Sequence, residues 1–148
     1  MKSQIHLTAA TVVNQEDRYL MVKETIDGTQ VINQPAGHVI AGEDVFAAAL
    51  RETLEETGWN VRLSGFLGFS TYFSPTNSTT YYRLTFCAEP VRFNSEHIID
   101  TQIDQVLWMS KSQLIEQSQM LRSPMVMHSI IQYEKQQIFS LDLFCNHL

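Results

Sequence analysis

Apolar and polar residues alternate loosely from residue 4 to residue 13, where Ile5, Leu7, Val12 and Val13 give the stretch a β-prone character. Asn14 to Asp17 is a polar turn, and Tyr19 to Glu24 reads as a second strand. Asp27-Gly28 then supplies a pair suited to a tight hairpin turn. Val31 to Asn33 starts a short strand that Pro35 ends, because proline has no amide hydrogen to give to a ladder. Pro35-Ala36-Gly37 delivers the chain to a helix. Beyond it, Val61 to Phe73 and Thr80 to Phe93 are long β-prone runs, with Pro75-Thr76-Asn77-Ser78 as the hairpin loop between them. Asn94 to Gln102 is polar and reads as a loop, and Val106 to Met109 as a short strand. Ser110 caps a helix running from Lys111 toward Gln117. Leu121-Arg122-Ser123-Pro124 is a break, and Pro124 suits the first turn of a second helix from Met125 to Gln136. The tail, Ile138 to Phe144, is apolar enough to dock on the body. The pattern predicts one α/β domain over residues 1–148, built on a mixed sheet with a helix on one side and the C-terminal helices on the other. No internal repeat, low-complexity segment or linker interrupts it.

The stretch from Gly37 to Trp59 joins a glycine loop to an acidic helix. Asp44 stands at the N-cap position, and Gly58 at the position where helices stop. At about 100° per residue, Phe46, Leu50, Thr53, Leu54 and Thr57 share one face, the expected packing face. Glu52, Glu55 and Glu56 fall opposite, at i, i+3 and i+4. Like charges at that spacing cost a helix roughly 0.2–0.5 kcal/mol per pair, so a positive partner is expected to offset them. Three carboxylates within reach of one another form a hard-oxygen cluster, suited to Mg²⁺ or Mn²⁺ and poor for a soft metal. Ala48 and Ala49 flank the acids and are expected to leave room for a bulky anion. The acids taken alone also fit a plain solvated helix face.

Charge and cysteine content narrow the classes further. A chain of 148 residues with 44% apolar content suits one domain with a sizeable core. The net charge of −6 argues against a nucleic-acid polymer as the main partner. Anionic small molecules stay open, because a bound metal inverts the local field. Cys87 and Cys145 give no disulfide framework. Cys87 lies in an apolar strand and reads as a buried thiol. Cys145-Asn146-His147-Leu148 lacks the aliphatic middle of a prenylation signal. With no long apolar run near Met1, neither a secretory signal nor a membrane span is expected, and the expected compartment is the cytoplasm.

The residues around the acids resemble the Nudix box, G-x5-E-x7-R-E-U-x-E-E-x-G-U, in which U is a bulky apolar residue. Gly37, Glu43, Arg51, Glu52, Glu55, Glu56 and Gly58 match at the family's spacing, and Trp59 fits the last U. Thr53 departs from the aliphatic residue usual at its place. The segments VKETIDGTQVINQPAGHVIAGE, LWMSKSQL and LRSPMVMHSI are similar to the NudJ-type phosphatase branch of that family, so the resemblance covers most of the chain. Ile32 departs from the tryptophan expected before Asn33-Gln34, which removes any stacking role there.

The resemblance implies the Nudix α/β/α sandwich and metal-assisted hydrolysis of a diphosphate linkage. It implies Mg²⁺, with Mn²⁺ as the alternative, held by Glu52, Glu55, Glu56 and the carbonyl of Gly37, with the three glutamates as the catalytic residues. Glu43 and Arg51 match box residues that pair and brace the loop against the helix. The branch implies release of orthophosphate from nucleoside di- and triphosphates, and action on the pyrimidine diphosphate intermediate of thiamine synthesis. A housekeeping pyrophosphohydrolase of the same fold is the neighbouring alternative. A small phosphorylated substrate, no nucleic-acid polymer, no membrane, and a monomer or homodimer complete the expectation.

Outside the box, Arg83 is a candidate phosphate clamp or else a surface ion pair. Arg122 is a candidate substrate contact. Tyr72 or Phe73 is a candidate to stack on a base, although strand aromatics are more often core. Asp100 and Asp104 lie where many relatives supply an extra acid. His38, Glu24, Asn33 and Gln34 are candidate pocket residues. Two functions from different classes remain: a metal-dependent phosphohydrolase, and a regulatory Nudix module that binds without turnover. Degenerate modules usually lack one or more box glutamates, and this chain has all of them.

Overall fold

The first strand organises the sheet in the computed structural model, which describes residues 4–146. Met1, Lys2, Ser3, His147 and Leu148 lie outside the described residues, so the readings of the N-terminal stretch and of the tetrapeptide after Cys145 extend partly beyond them. Strand β1 (Gln4–Gln15) is followed by β2 (Arg18–Ile26), β3 (Thr29–Asn33), β4 (Ala36–His38) and helix α1 (Val45–Thr57). Then come β5 (Trp59–Ser74), β6 (Thr79–Phe93), β7 (Ile103–Ser110), α2 (Lys111–Glu116) and α3 (Pro124–Glu134). Among the described residues the strands form one seven-stranded sheet in the order β3-β2-β1-β6-β5, with β4 on β1 and β7 on β2. The β1/β6 pair is parallel and the others are antiparallel, so the sheet is mixed as expected. No helix among the described residues is long and apolar enough to cross a membrane.

Local chemistry explains most of these elements. Glu16 and Asp17 end the first strand at φ +51° and +61°, and Asp27-Gly28 turns the next hairpin at φ +49° and +78°. Such left-handed pairs match the twist of antiparallel neighbours. The Asp44 carboxylate accepts from the amides of Phe46 at 2.6 Å and Ala47 at 3.2 Å, and Gly58 closes α1. Ser110 and Gln113 bond reciprocally as a capping box on α2. Ser123, not singled out in the sequence, caps α3 by accepting from Met125.

The apolar layers lie on both faces of the sheet. On one face Val12, Met21, Ile32 and Leu67 pack with Leu114, Val126 and Ile130 of α2 and α3. On the other, Ala9, Leu84 and Phe86 meet Ala48 and Ala49 of α1, with Leu141 and Phe144 of the tail against them. This is the α/β sandwich expected, with α1 opposite the C-terminal helices. The docked tail crosses between the layers around edge strand β5, where Phe139 and Phe66 exchange backbone hydrogen bonds of 2.8 Å.

Two expectations about α1 are corrected. Ala48 and Ala49 are fully buried against the sheet, and their small side chains serve close packing of the helix rather than room for an anion. The packing face is also rotated toward the acids. Leu50 is 37% exposed while Glu56 is 3% exposed, because Thr53, Thr57 and the alanines meet the sheet instead of the leucines. The Thr53 hydroxyl bonds Thr11 at 2.7 Å and the Ala49 carbonyl at 2.7 Å, which accounts for a polar residue where the box usually has an aliphatic one.

The fork in the sheet positions the site. Strand β1 pairs with β2 only at Asn14 and Gln15, while β4 pairs with it at Thr8 to Ala10. Strands β2 and β3 therefore diverge from β1 where β4 begins, and a cleft opens between them. The stretch read as a glycine loop is in part this strand, with Gly37 opposite Ala9.

Candidate active site

The cleft encloses about 380 Å³, and its walls carry opposite charges. Glu52 and Glu56 of α1 stand beside Gly37 of β4, with Glu24 at the far end of β2. Arg83 of β6 and Arg122 of the connection before α3 face the same space.

The acid wall is built from contact between α1 and β4. Glu56 accepts from the Ala36 amide at 2.8 Å. Burial pushes its carboxyl up to about 9, and Glu24, Glu52 and Asp100 add to the rise, while the Ala36 hydrogen bond opposes it. Burial likewise raises Glu52, opposed by Arg51, and raises Glu24, opposed by Arg122 and Arg83. Gly37 allows the close approach. A Cβ there would lie 2.1 Å from the Glu52 carboxylate carbon, well inside van der Waals contact.

Arg51 is the positive partner that the acidic helix called for. It donates to Glu43 at 2.7 and 2.9 Å, to Glu52 at 2.8 Å, to Glu55 at 3.0 Å and to the His38 carbonyl at 3.0 Å. Hydrogen bonds to Glu43 and Glu52 hold the guanidinium well above its ordinary range, and the bond from Arg51 holds Glu43 below the usual carboxylate range. The Arg51–Glu43 pair thus ties the loop before α1 to the helix.

Arg51 also divides the three carboxylates of α1. Among the described residues no three acidic, histidine or cysteine groups converge at metal-ligand spacing. Glu52 and Glu55 turn to Arg51, and Glu55 does not line the cleft. The donor chemistry nonetheless fits a hard divalent cation. Glu52, Glu56 and the peptide of Gly37 are oxygen donors on one wall, and mutual repulsion among buried carboxylates is the condition a cation relieves.

The family model described as NUDIX domain matches residues 4–128. The chain belongs to the Nudix family. Phosphatase NudJ of Escherichia coli strain K12 is 36% identical over 138 residues, spanning 93% of this chain and 89% of that protein. Phosphatase NudJ of Shigella flexneri matches at the same identity and coverage. A solved NUDIX hydrolase from Nitrosomonas europaea superposes with a TM-score of 0.94 and 35% identity, over 97% of this chain and 98% of its own. A UDP-X diphosphatase structure, 14% identical with a TM-score of 0.72 over 95% of this chain and 68% of its own, shares the fold alone. This chain is therefore a Nudix hydrolase and a homologue of the NudJ phosphatases.

The Nudix cleft gathers some of the other candidate residues and leaves others out. Tyr72, Asn33 and His38 line it. Burial lowers the His38 imidazole, and its Nε2 lies 2.8 Å from His6 Nδ1. Gln34 is fully buried behind the cleft. Phe73, 55% exposed, points to the other side of β5 from Tyr72, as period two requires. Asp104 accepts from Thr25 at 2.6 Å and Gln30 at 3.5 Å, away from the cleft. Asp100 does not line it but raises Glu52 and Glu56 through its charge, and its amide bonds the Glu55 carbonyl at 3.0 Å. Tyr81, Thr8, Gln102 and Ser123 were missed. A signal for Tyr81 existed: with a four-residue loop from Pro75 to Ser78, counting back puts it opposite Tyr72. Gln102 lies on a loop that nothing local marks, and Ser123 is marked locally only as the cap before Pro124.

Proposed function

We propose that this Nudix hydrolase is a Mg²⁺-dependent phosphohydrolase that releases orthophosphate from nucleoside di- and triphosphates, and that a pyrimidine diphosphate of thiamine synthesis is its non-nucleotide substrate. The observation carrying the reading is the division of the cleft into an acid wall of Glu52 and Glu56 and a basic wall of Arg83 and Arg122. Identity to the NudJ phosphatases over most of the chain supports the branch.

Nudix hydrolases generally use divalent metal ions. Glu52, Glu56 and the Gly37 carbonyl would hold the cation, Glu55 would join them by giving up its bond to Arg51, and Mn²⁺ would fit the same oxygen donors. When bound, such an ion polarises a phosphoryl oxygen and lowers the pKa of a bound water. The remaining work belongs to side chains. Arg83 and Arg122 hold the phosphate that is not cut and so fix which phosphorus meets the acid wall, since positioning alone can decide the bond attacked. Tyr72 offers a ring face to a base or pyrimidine. Arg51 and Glu43 hold the loop against α1.

Phosphate release from a nucleoside diphosphate, with and without Mg²⁺, tests the activity. Turnover in excess chelator equal to that with Mg²⁺ would refute the metal mechanism. Glu56→Gln and Glu55→Gln should each cut turnover by orders of magnitude while circular dichroism stays native. Hydrolysis of a nucleoside triphosphate in ¹⁸O-labelled water should place label in orthophosphate. Label at the inner phosphorus, with pyrophosphate as co-product, would instead make the enzyme a housekeeping pyrophosphohydrolase.

A further inference from the structure

Arg83 is a buried cation without an ion-pair partner. It sits on β6 in register with Thr8 and Ser70, is 3% exposed, and still opens onto the cleft. Among the described residues no carboxylate lies within ion-pair distance of it. Its Nη2 donates to Gln34 Oε1 at 2.8 Å, and both Nη atoms reach Asn33 Oδ1 at longer range, 3.3 and 3.4 Å. Its Nε is buried with no hydrogen-bond partner. Burial pulls Arg83 down to about 10, the field of Glu56 and Glu24 opposes this, and Arg122 adds to it. A buried guanidinium satisfied by two neutral amides and one vacant edge is a costly arrangement for stability.

Gln34 explains how the arrangement is held. Its amide nitrogen donates to the Val126 carbonyl at 2.9 Å and to Ser129 Oγ at 2.8 Å. Both amide hydrogens are thereby used on α3, and the Ser129 hydroxyl itself donates to Val126 at 2.9 Å. A flipped amide would set its oxygen against the Val126 carbonyl, so Oε1 is fixed toward Arg83. The chain of contacts runs from α3 through Gln34 to the guanidinium, gripping it from the side away from the cleft.

We propose that Arg83 is the floor of an oxyanion subsite for a phosphoryl group, and that Gln34 is the positioning residue that holds the guanidinium open toward it. A bidentate guanidinium suits phosphoryl oxygens, and Arg122 adds a second positive charge that favours a multiply charged anion over a carboxylate. The assignment of this group as the uncleaved phosphate of the substrate rests on the phosphohydrolase reading. The anion site stands apart from it.

The test uses the full chain in chelator with inorganic phosphate as the probe, by calorimetry and thermal shift. Wild type should bind phosphate saturably and melt higher, and acetate should do neither. Gln34→Glu sets a carboxylate beside the guanidinium and should weaken phosphate binding at least about tenfold by occupying it. Asn33→Asp does the same without disturbing the bonds to α3, and keeps the test sound if Gln34→Glu folds poorly. With Mg²⁺, both variants should raise KM by about tenfold, the mark of a lost phosphate contact. Phosphate binding that survives both variants, or equal binding of acetate, would overturn the subsite. If phosphate binds at Arg83 but no nucleotide yields orthophosphate, the functional reading falls and the subsite stands. If turnover proceeds with unchanged KM in both variants, the subsite falls and the reading stands.

Discussion

Thr53 and Thr11 bond to each other inside the core, where neither hydroxyl has another route to water. Thr53→Val should therefore cost about 1–3 kcal/mol, because it strands the Thr11 hydroxyl, whereas Thr11→Val with Thr53→Val should recover most of the loss. Urea denaturation of the single and double variants measures this; a double variant no better than the single would show that the methyls, not the hydroxyls, set the cost. Arg51 touches three glutamates and a backbone carbonyl. Arg51→Ala should lower both melting temperature and turnover, since the loop tie and the charge balance go together. Lost turnover with an unchanged melting temperature would make Arg51 a catalytic residue instead. At this scale the sequence was informative about spacing and silent about partners. The positions of Glu52, Glu55 and Glu56 followed from helical periodicity. That Arg51 would claim two of them, and that Gln34 would face Arg83 from 49 residues away, depends on contacts that no local pattern encodes.

Helix α3 is tied to β2 and α2 through one carboxylate. Glu134 accepts from the Tyr19 hydroxyl at 3.0 Å and pairs with Lys111 at 2.7 Å. The Lys111 bond is the main cause of its lowered pKa, with Tyr19 adding to it, and burial of Tyr19 beside Glu134 raises the phenol above its ordinary range. A carboxylate with a depressed folded pKa contributes stability above its unfolded value of 4.5, and that contribution is lost as pH falls through the folded value. Glu134→Gln should thus melt slightly below wild type at pH 7, by less than about 1 kcal/mol for a pair this exposed. The two curves should converge in acid. A gap that persists unchanged at pH 3 would assign the loss to packing. Elements whose signals are local were legible: caps, hairpin turns and alternating strands fell where the residues placed them. Strand β4 was not, because three residues ending at His38 form a strand only through pairing with distant β1. The rotated face of α1 escaped for a similar reason. Hydrophobicity favoured Leu50 and Leu54, but close approach to Ala9, Leu84 and Phe86 of the sheet selected the small side chains.

Across the whole molecule, the tail covers edge strand β5 at one point, the bridge between Phe139 and Phe66. Gly65 permits it: a Cβ there would lie 2.4 Å from Ile138 Cγ2 and 3.1 Å from Cys87 Sγ. Gly65→Ala should loosen the tail and cost about 1–3 kcal/mol by overpacking. Hydrogen exchange at Phe66 and Phe139 should speed up before the rest of the sheet, and protection equal to wild type would show that the tail adapts. The parallel pairing of β1 with β6 has a further consequence in time. It joins Gln4 to Thr79 and Val13 to Ala88, so each partner lies 75 residues away, from 79 − 4 and 88 − 13. A chain emerging from the ribosome has made the residues of the acidic helix before it makes the strand that completes the central sheet. The cleft is therefore a late product of folding: Glu52 and Arg83 reach their places across it only when the two distant strands zip together and α1 can dock on Leu84 and Phe86.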